Sequence, residues 1–455
     1  MTSSFLYPNG FLKKIKISWE KSKYSDVDQV PRLPEDRIIK KLFDVCYHAS
    51  FKTEESRRIK FQVAFCEKTI ITDQYEEDIP SKIHSIEFKK PREFNVKELL
   101  RLAPATDPSS VIIGVNFDPV KNDELIIWGL IHVGSSWSKL LRDESLYGIP
   151  PPNVLTITSN ELGELSVSRR GIIILDLKNG KVFTPIDILI QPGPIMDFFE
   201  SGKCQIYQEI CERLKVKQYS RKVSERIFPI EMYTRYLEDI LFNIQRQGHG
   251  GTLIIIPDSV KINSPILKNQ LSIKYPCSHS EGWDSLLEYL ELSYLKANIG
   301  KAILRPKGRN LKKLYSVNEE LNDHLILWHS VMKDSTKFLS SLAGVDGAIV
   351  ITDSLKLIGF GVEIKSKASK LQTVHVAKDS SGKTKDEISI EDYGTRNRSA
   401  FRFCNNNENS VIFVISQDGG ITAVKQNGSK LITWPNINTT SIALHRDTLV
   451  KNTVI

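Results

Sequence analysis

The chain has 455 residues, which is too long for one ordinary hydrophobic core and predicts two or three domains. Hydrophobic residues make up 40% and charged residues 25%, as in a soluble globular protein, and no stretch approaches the roughly 20 apolar residues of a membrane-spanning helix. The formal net charge of +8 is mild for this length, so a nucleic-acid groove is not favoured, and a phosphate-bearing small ligand fits it equally well.

Six scattered cysteines without a CxxC pair indicate reduced, mostly structural thiols. The first residues lack the basic and apolar regions of a signal peptide. We therefore expect a cytoplasmic protein without a membrane partner.

The first half of the chain carries few motifs. Residues 1–105 form a region of unclear type, and residues 106–220 are predicted to form a β-rich domain with a terminal helix over 198–215. Turn residues (Gly, Pro and Asn-Gly) separate its predicted strands, which lie at 111–115, 125–131, 154–157 and 171–176. We interpret this part as a small sheet or partial barrel with a structural or oligomerisation role, and the polar stretch 216–225 as a linker.

Residues 226–440 are predicted to form the last domain, followed by a tail over 441–455. Helices are expected around Tyr233–Ile244, from about Glu319 and from Arg396, because apolar residues recur at helical spacing. Predicted strands lie at 252–256, 345–352, 357–364, 411–416 and 421–424, whereas residues 365–391 are predicted to be a long mobile loop. The fold class is therefore α/β or α+β: a mixed sheet flanked by helices, preceded by a β-rich N-terminal region.

Two short motifs in this domain suit a polyphosphate ligand. Asp346 lies at the start of an apolar strand, where it can hold a metal ion. Arg396 and Arg398 follow a Gly-Thr turn at the start of a helix, where guanidinium groups and free backbone N–H groups favour phosphate. The pair of motifs predicts a nucleotide site.

The same motifs resemble a known family. The runs 339–352, 394–400 and 411–421, together with Gly359 and Gly361, are similar to the diadenylate cyclase (DAC) domain, over about residues 226–440. The Gly248–Leu253 turn more closely resembles a divergent branch of these domains, the predicted nucleotide sensors called DACNV.

The resemblance implies a site as well as a fold. In the family two protomers meet face to face, each holding one ATP, and a metal ion, Mg or Mn, joins the nucleotides. By resemblance Asp346 would bind the metal and help to activate the 3′-hydroxyl group. The nucleotide would be bound by Gly347, Ala348, Gly394, Thr395, Arg396, Asn397, Arg398 and Ser416.

Two departures from the family pattern bear on activity. Asn397 stands where the family has a histidine, and Gln417 follows Ser416 where an acidic residue is usual. Loss of catalytic groups beside retained phosphate-binding groups favours a sensor that binds a nucleotide or cyclic dinucleotide, with a homo-oligomer among the expected assemblies. The alternative is an active diadenylate cyclase that condenses two ATP to cyclic di-AMP, and the third hypothesis is a nucleic-acid or scaffold protein.

Simpler interpretations stay open for single residues. Asp346 could belong to an ordinary turn into the strand, and Arg396 and Arg398 could pair with Glu391 or Asp392 on the helix surface. His249, between glycines, could cap the preceding helix or contact the ligand.

Overall fold

The computed structural model describes residues 9–22, 30–54, 57–69, 84–107, 110–118, 124–133, 151–159, 162–178, 180–215, 230–260, 264–278, 281–304, 310–365, 371–417, 420–437 and 439. These residues form two compact units, one within Met1–Pro185 and one within Ile186–Thr439.

The first unit is built on an eight-stranded sheet in the order β10-β9-β8-β7-β3-β5-β6-β4. Its elements are α1 (Asn9–Glu20), α2 (Asp36–Ser50), the short strands β1 (Thr53–Glu54) and β2 (Arg57–Arg58), β3 (Phe61–Phe65), β4 (His84–Glu93), α3 (Val96–Leu102), β5 (Val111–Phe117), β6 (Leu125–His132), β7 (Thr156–Ser159), β8 (Leu165–Arg169), β9 (Ile172–Lys178) and β10 (Lys181–Phe183). Neighbouring strands are antiparallel except β3 and β5, which run parallel. Strands from both sides of residue 105 therefore lie in one sheet.

The core of this unit lies between the sheet and its first two helices. Apolar residues recur along α2 at helical spacing and are buried, and the rings of Phe11 and Phe43 meet edge to face with centroids 4.8 Å apart. Arg169 is also fully buried, and its guanidinium donates to Asn153 Oδ1 (2.7 Å) and to the backbone carbonyl of Ser22. These bonds satisfy donors of the Arg169 guanidinium, whose burial without hydrogen bonds would be unfavourable.

The second unit contains a nine-stranded sheet in the order β12-β14-β13-β11-β17-β18-β19-β15-β16. Its elements are α4 (Pro194–Arg213), α5 (Ile230–Arg246), β11 (Gly251–Ile256), α6 (Pro265–Gln270), β12 (Leu271–Pro276), α7 (Glu281–Leu304), α8 (Leu311–Ser341), β13 (Ala348–Thr352), β14 (Leu357–Ile364), β15 (Thr373–Ala377), β16 (Thr384–Ser389), α9 (Thr395–Asn406), β17 (Val411–Ile415), β18 (Ile421–Asn427) and β19 (Lys430–Trp434).

Both faces of this sheet are covered. Leu253 and Ile255 of β11 belong to a core shared with α5, α7 and α8, whereas Ile254 and Ile256 belong to a core shared with α9. This alternation explains why the four residues from Leu253 to Ile256 are all apolar. The expected fold class, α+β with mixed sheets and a β-rich N-terminal region, is confirmed.

The strand directions bring three chain segments to one edge of the sheet. β11 runs parallel to β13 and antiparallel to β17, so the starts of β11 and β13 lie beside the end of β17. At the opposite edge, α4 packs so closely that a β-carbon on Gly202 would overlap the Asp353 carbonyl, and the Tyr233 hydroxyl donates to that carbonyl. The edge formed by the starts of β11 and β13 is the one beside Asp346, which precedes β13.

Most strands and helices predicted for the second unit are present, but the predicted mobile loop is wrong. Residues 365–391 contain β15 and β16, which pair antiparallel, and β15 runs parallel to β19. Val374 and Ala377 are buried, so β15 supplies core residues despite the polar composition of the segment. The expected linker 216–225, the tail 441–455 and residues 366–370 lie outside the described residues.

Within the described ranges, no helix combines the length and the apolar character required to cross a bilayer.

Candidate functional site

A tight glycine turn joins α5 to β11 at the edge shared with β13. Gly248 and Gly250 have φ angles of +73° and +69°, a conformation that favours glycine. A β-carbon on Gly250 would lie 2.8 Å from a terminal nitrogen of Arg396 and 2.8 Å from the Ile415 carbonyl oxygen. The turn therefore requires glycine at position 250, because Arg396 and the end of β17 lie directly against it.

Arg396 is the second residue of α9 and is exposed. Its Nη2 donates to the backbone carbonyl of His249 at 3.4 Å, and it has no carboxylate partner among the described residues. Gly394, the residue before α9, has no side chain that could cap the helix, so its N-cap residue accepts no side-chain hydrogen bond from the first N–H groups. An unneutralised guanidinium and a helix N-terminus thus lie together, an arrangement that attracts anions.

His249 connects this turn to the segment that carries Asp346. Its Nδ1 lies 2.6 Å from the Gly250 carbonyl oxygen, and its Nε2 lies 2.7 Å from Oε1 of Gln247. A β-carbon on Gly344 would lie 3.6 Å from Nε2, so the imidazole reaches the turn two residues before Asp346. From the sequence, His249 was left open between a helix cap and a ligand contact, because its only signal was a position among glycines.

Asp346 is exposed just before β13 and has no hydrogen bond or ion pair with the described residues. Gly347 has a φ of +122°, and a β-carbon there would lie 2.6 Å from the backbone nitrogen of Val362 and 2.7 Å from the carbonyl carbon of Gly361. Glycine is therefore required at position 347, because β14 passes against the backbone.

Asp346 and Arg396 share one edge of the sheet. Only β11 separates β13 from β17. Neighbouring strands are about 4.8 Å apart, so the backbones of β13 and β17 lie about 10 Å apart. Asp346 precedes β13 on one side of β11, and Arg396 lies against Gly250 near the end of β17 on the other side.

The other predicted residues are placed differently. Arg398 Nη1 pairs with Glu391 Oε2 at 2.5 Å, with the Arg398 side chain 32% exposed, as the simpler surface interpretation expects. Asn397 Oδ1 is buried and has no hydrogen-bond partner, whereas the Ser416 hydroxyl donates to the Gly420 carbonyl at 3.1 Å. Arg398 and Ser416 are therefore engaged within the protein.

The remaining predicted site residues are expected to contact a ligand through their backbone atoms. Ala348 is 3% exposed and its methyl group packs in the core on the α9 side of the sheet. Gly394 and Thr395 are exposed at the start of α9, and a β-carbon on Gly394 would meet nothing within 4 Å. Gln417 is exposed, and Asp418 lies outside the described residues.

No group of three or more His, Cys, Asp or Glu side chains could hold a metal ion in the part of the chain that the structure describes. The single carboxylate of Asp346 fits Mg²⁺ or Mn²⁺ only when phosphate and water supply the other ligands. Mg²⁺ is often bound in this way, by one or two carboxylates together with substrate phosphates.

Residues 28–132 match the family model described as probable sensor domain DACNV. The match ends with β6 and covers α2, α3 and the strands β3 to β6 of the first unit. This part of the chain is therefore consistent with a DACNV-type sensor domain. No curated protein matches the chain.

A DACNV-type sensor domain was expected from the sequence, and the match supports one, but at another place in the chain. The resemblance was assigned to residues 226–440, around the Gly248 turn, whereas the matched residues lie in the first unit. The similarity of the second unit to the diadenylate cyclase domain stays a prediction that rests on its own motifs.

Proposed function

We propose that the protein is a nucleotide or cyclic-nucleotide sensor whose second unit binds the ligand phosphates at the shared edge of β11, β13 and β17. One observation carries the proposal. The Arg396 guanidinium lies against the His249–Gly250 turn without a carboxylate partner among the described residues, at the same edge as the exposed Asp346.

The residues at this edge have complementary roles in the proposal. Arg396 donates to phosphate oxygens, and the free N–H groups at the start of α9, beginning at Thr395, favour the same anion. Asp346 holds Mg²⁺ or Mn²⁺, which when bound neutralises phosphate charge. Arg398 reaches phosphate only by leaving Glu391, so its contribution is smaller.

A binding role agrees better with this edge than a catalytic one. Phosphoryl transfer requires alignment and charge neutralisation at the reacting phosphate, and two metal ions often share that task. Among the described residues no group of three or more His, Cys, Asp or Glu side chains could hold metal ions, and Asn397 replaces the family histidine with a group that cannot carry a proton charge. Ligand capture is therefore assigned to the second unit, and the DACNV-type sensor domain in the first unit is a separate part of the protein.

Isothermal titration calorimetry with Mg·ATP and with cyclic di-AMP tests the proposal on the full chain. Arg396→Ala removes charge-assisted hydrogen bonds of about 1.5–3 kcal/mol, so affinity should fall on the order of 10- to 100-fold. The matched control is Arg402→Ala, which removes the same charge from the same helix further from its start and should leave affinity unchanged. Binding of neither ligand, or binding that Arg396→Ala leaves intact, would refute this site.

The same preparation separates a sensor from an enzyme. The protein is incubated with ATP and Mn²⁺ or Mg²⁺, and products are separated by chromatography. The sensor proposal predicts no turnover. A cyclic dinucleotide that forms with the wild type and disappears with Asp346→Asn would replace the sensor by the cyclase.

A further inference from the structure

Two long helices of the second unit form a hairpin whose end is exposed and apolar. α7 ends at Leu304, α8 begins at Leu311, and the two helices pack along each other, so the end of one lies near the start of the other. Leu304 is 82% exposed, Leu311 43% and Tyr315, one turn further along α8, 54%. Three large, mostly apolar side chains therefore face solvent at the end of the hairpin.

The apolar face of α8 continues past the core of the unit. The buried residues of α8, a helix that the structure describes over its whole length, all lie between Leu325 and Ser340. Leu311 precedes Leu325 by about four helical turns and therefore lies on the same side of the helix. The side of α8 that is buried from Leu325 onward is thus exposed at the end of the hairpin.

The same end of the hairpin is strongly basic. Six of the 13 residues from Lys301 to Lys313 are lysine or arginine, and none is acidic. Lys301, Lys312 and Lys313 are exposed, and none of them forms an ion pair with the described residues. The two lysines in the first turn of α8, which contains no acidic residue, add positive charge at the positive end of the helix dipole, so a negatively charged partner would stabilise them. These three lysines together with Leu304, Leu311 and Tyr315 make up the hairpin tip.

We propose that the hairpin tip binds the surface of an anionic membrane. Leu304 and Leu311 enter the boundary between headgroups and acyl chains, and the lysines bind the lipid phosphates beside them. Tyr315 suits the same depth, because its ring is apolar and its hydroxyl group is polar. The sequence predicted no membrane partner because no stretch approaches the length of a membrane-spanning helix, but contact with a membrane surface requires no such stretch.

The combination of apolar and basic residues favours lipid over nucleic acid as the partner. Phosphates of DNA or RNA would attract the lysines equally well, but a nucleic acid offers no apolar layer for two exposed leucines. An anionic bilayer offers both the charge and the apolar layer. No residue of the hairpin tip belongs to the proposed phosphate site, so the two proposals can fail separately.

Flotation of the full chain with phospholipid vesicles tests the hairpin tip. The protein should float with vesicles that contain phosphatidylserine, but not with vesicles of phosphatidylcholine alone. A lysine near an anionic surface strengthens binding about five-fold, so Lys312→Gln and Lys313→Gln together should weaken binding about 30-fold. Leu304→Ser, which removes the apolar area that one side chain inserts, should weaken binding on the order of ten-fold.

The matched control variants lie on α8 away from the tip. Lys337→Gln and Phe338→Ser change an exposed lysine and an exposed apolar residue, and both variants should float like the wild type. Flotation with neither kind of vesicle, equal flotation with both, or equal weakening in the control variants would refute the membrane contact. Binding that depends on the lysines but not on Leu304 would refute it as well, as would binding of RNA or duplex DNA, measured by fluorescence anisotropy, without binding of vesicles.

Discussion

The glycine turn before β11 predicts a difference between two otherwise similar substitutions, Gly248→Ala and Gly250→Ala. Both positions have φ near +70°, so both variants place alanine in the left-handed region at about 1–2 kcal/mol. They differ in their surroundings. A β-carbon on Gly248 would meet nothing within 4 Å, whereas one on Gly250 would lie 2.8 Å from the Ile415 carbonyl oxygen.

The close contact adds a second destabilising effect at position 250 alone. Overpacking of this kind costs about 1–3 kcal/mol, so Gly250→Ala should destabilise the turn by about 2–5 kcal/mol and Gly248→Ala by about 1–2 kcal/mol. The Arg396 guanidinium, 2.8 Å from the same β-carbon, must also move. We therefore expect Gly250→Ala, but not Gly248→Ala, to weaken binding of Mg·ATP.

Amide hydrogen exchange followed by mass spectrometry is the suitable assay, because two compact units can unfold separately and local opening is then measured directly. Peptides that contain β11 and β17 should exchange faster in Gly250→Ala than in Gly248→Ala. Equal exchange in the two variants would show that Arg396 and β17 do not lie against position 250.

Four further substitutions test other parts of the structure. In urea unfolding, Gly202→Ala should strongly destabilise the second unit because its β-carbon would overlap backbone, whereas Gly300→Ala, with open space in α7, should stabilise it by about 0.5–1 kcal/mol. Burial raises the pKa of the Glu238 carboxyl well above its ordinary value, so stability should fall as pH rises above about 4.3, and Glu238→Gln should flatten that fall. A thiol reagent at mildly alkaline pH should label exposed Cys204 first, since burial raises the pKa of the Cys404 thiol to about 12, and Cys204→Ser should remove the fast phase.

Each of these expectations has a contradicting result. Equal effects of the two glycine substitutions would mean that α4 does not pack closely on the opposite edge of the sheet. An unchanged pH dependence in Glu238→Gln would mean that this carboxyl is not buried. A fast labelling phase that survives Cys204→Ser would mean that another thiol is accessible.

Much of the second unit could be predicted from local patterns. The apolar runs at β11, β13 and β17 and the helical spacing in α5 gave the correct elements, because burial on both faces leaves an unbroken apolar run. The strands β15 and β16 were missed because a Lys-, Ser- and Thr-rich segment carries little local signal for strands, and because the pairing of β15 with β19 is long-range. Register and sheet order depend on such distant partners.

The candidate site could likewise be predicted only in part from local sequence patterns. That Arg396 and Asp346 lie at one edge follows from strand order, which the resemblance implied and local patterns could not show. That Arg398 pairs with Glu391, whereas Arg396 contacts the His249 carbonyl, depends on helix orientation. Two arginines two residues apart point to different sides of a helix, and spacing alone cannot assign the ligand to one of them.

A crystal structure of the full chain with Mg²⁺ and a non-hydrolysable ATP analogue tests the central claim most directly. The account predicts phosphate oxygens within hydrogen-bonding distance of the Arg396 guanidinium and of the backbone N–H groups at the start of α9, with the metal ion beside Asp346. Phosphates bound elsewhere in the protein, with Arg396 still against the His249 turn and Asp346 uninvolved, would contradict it.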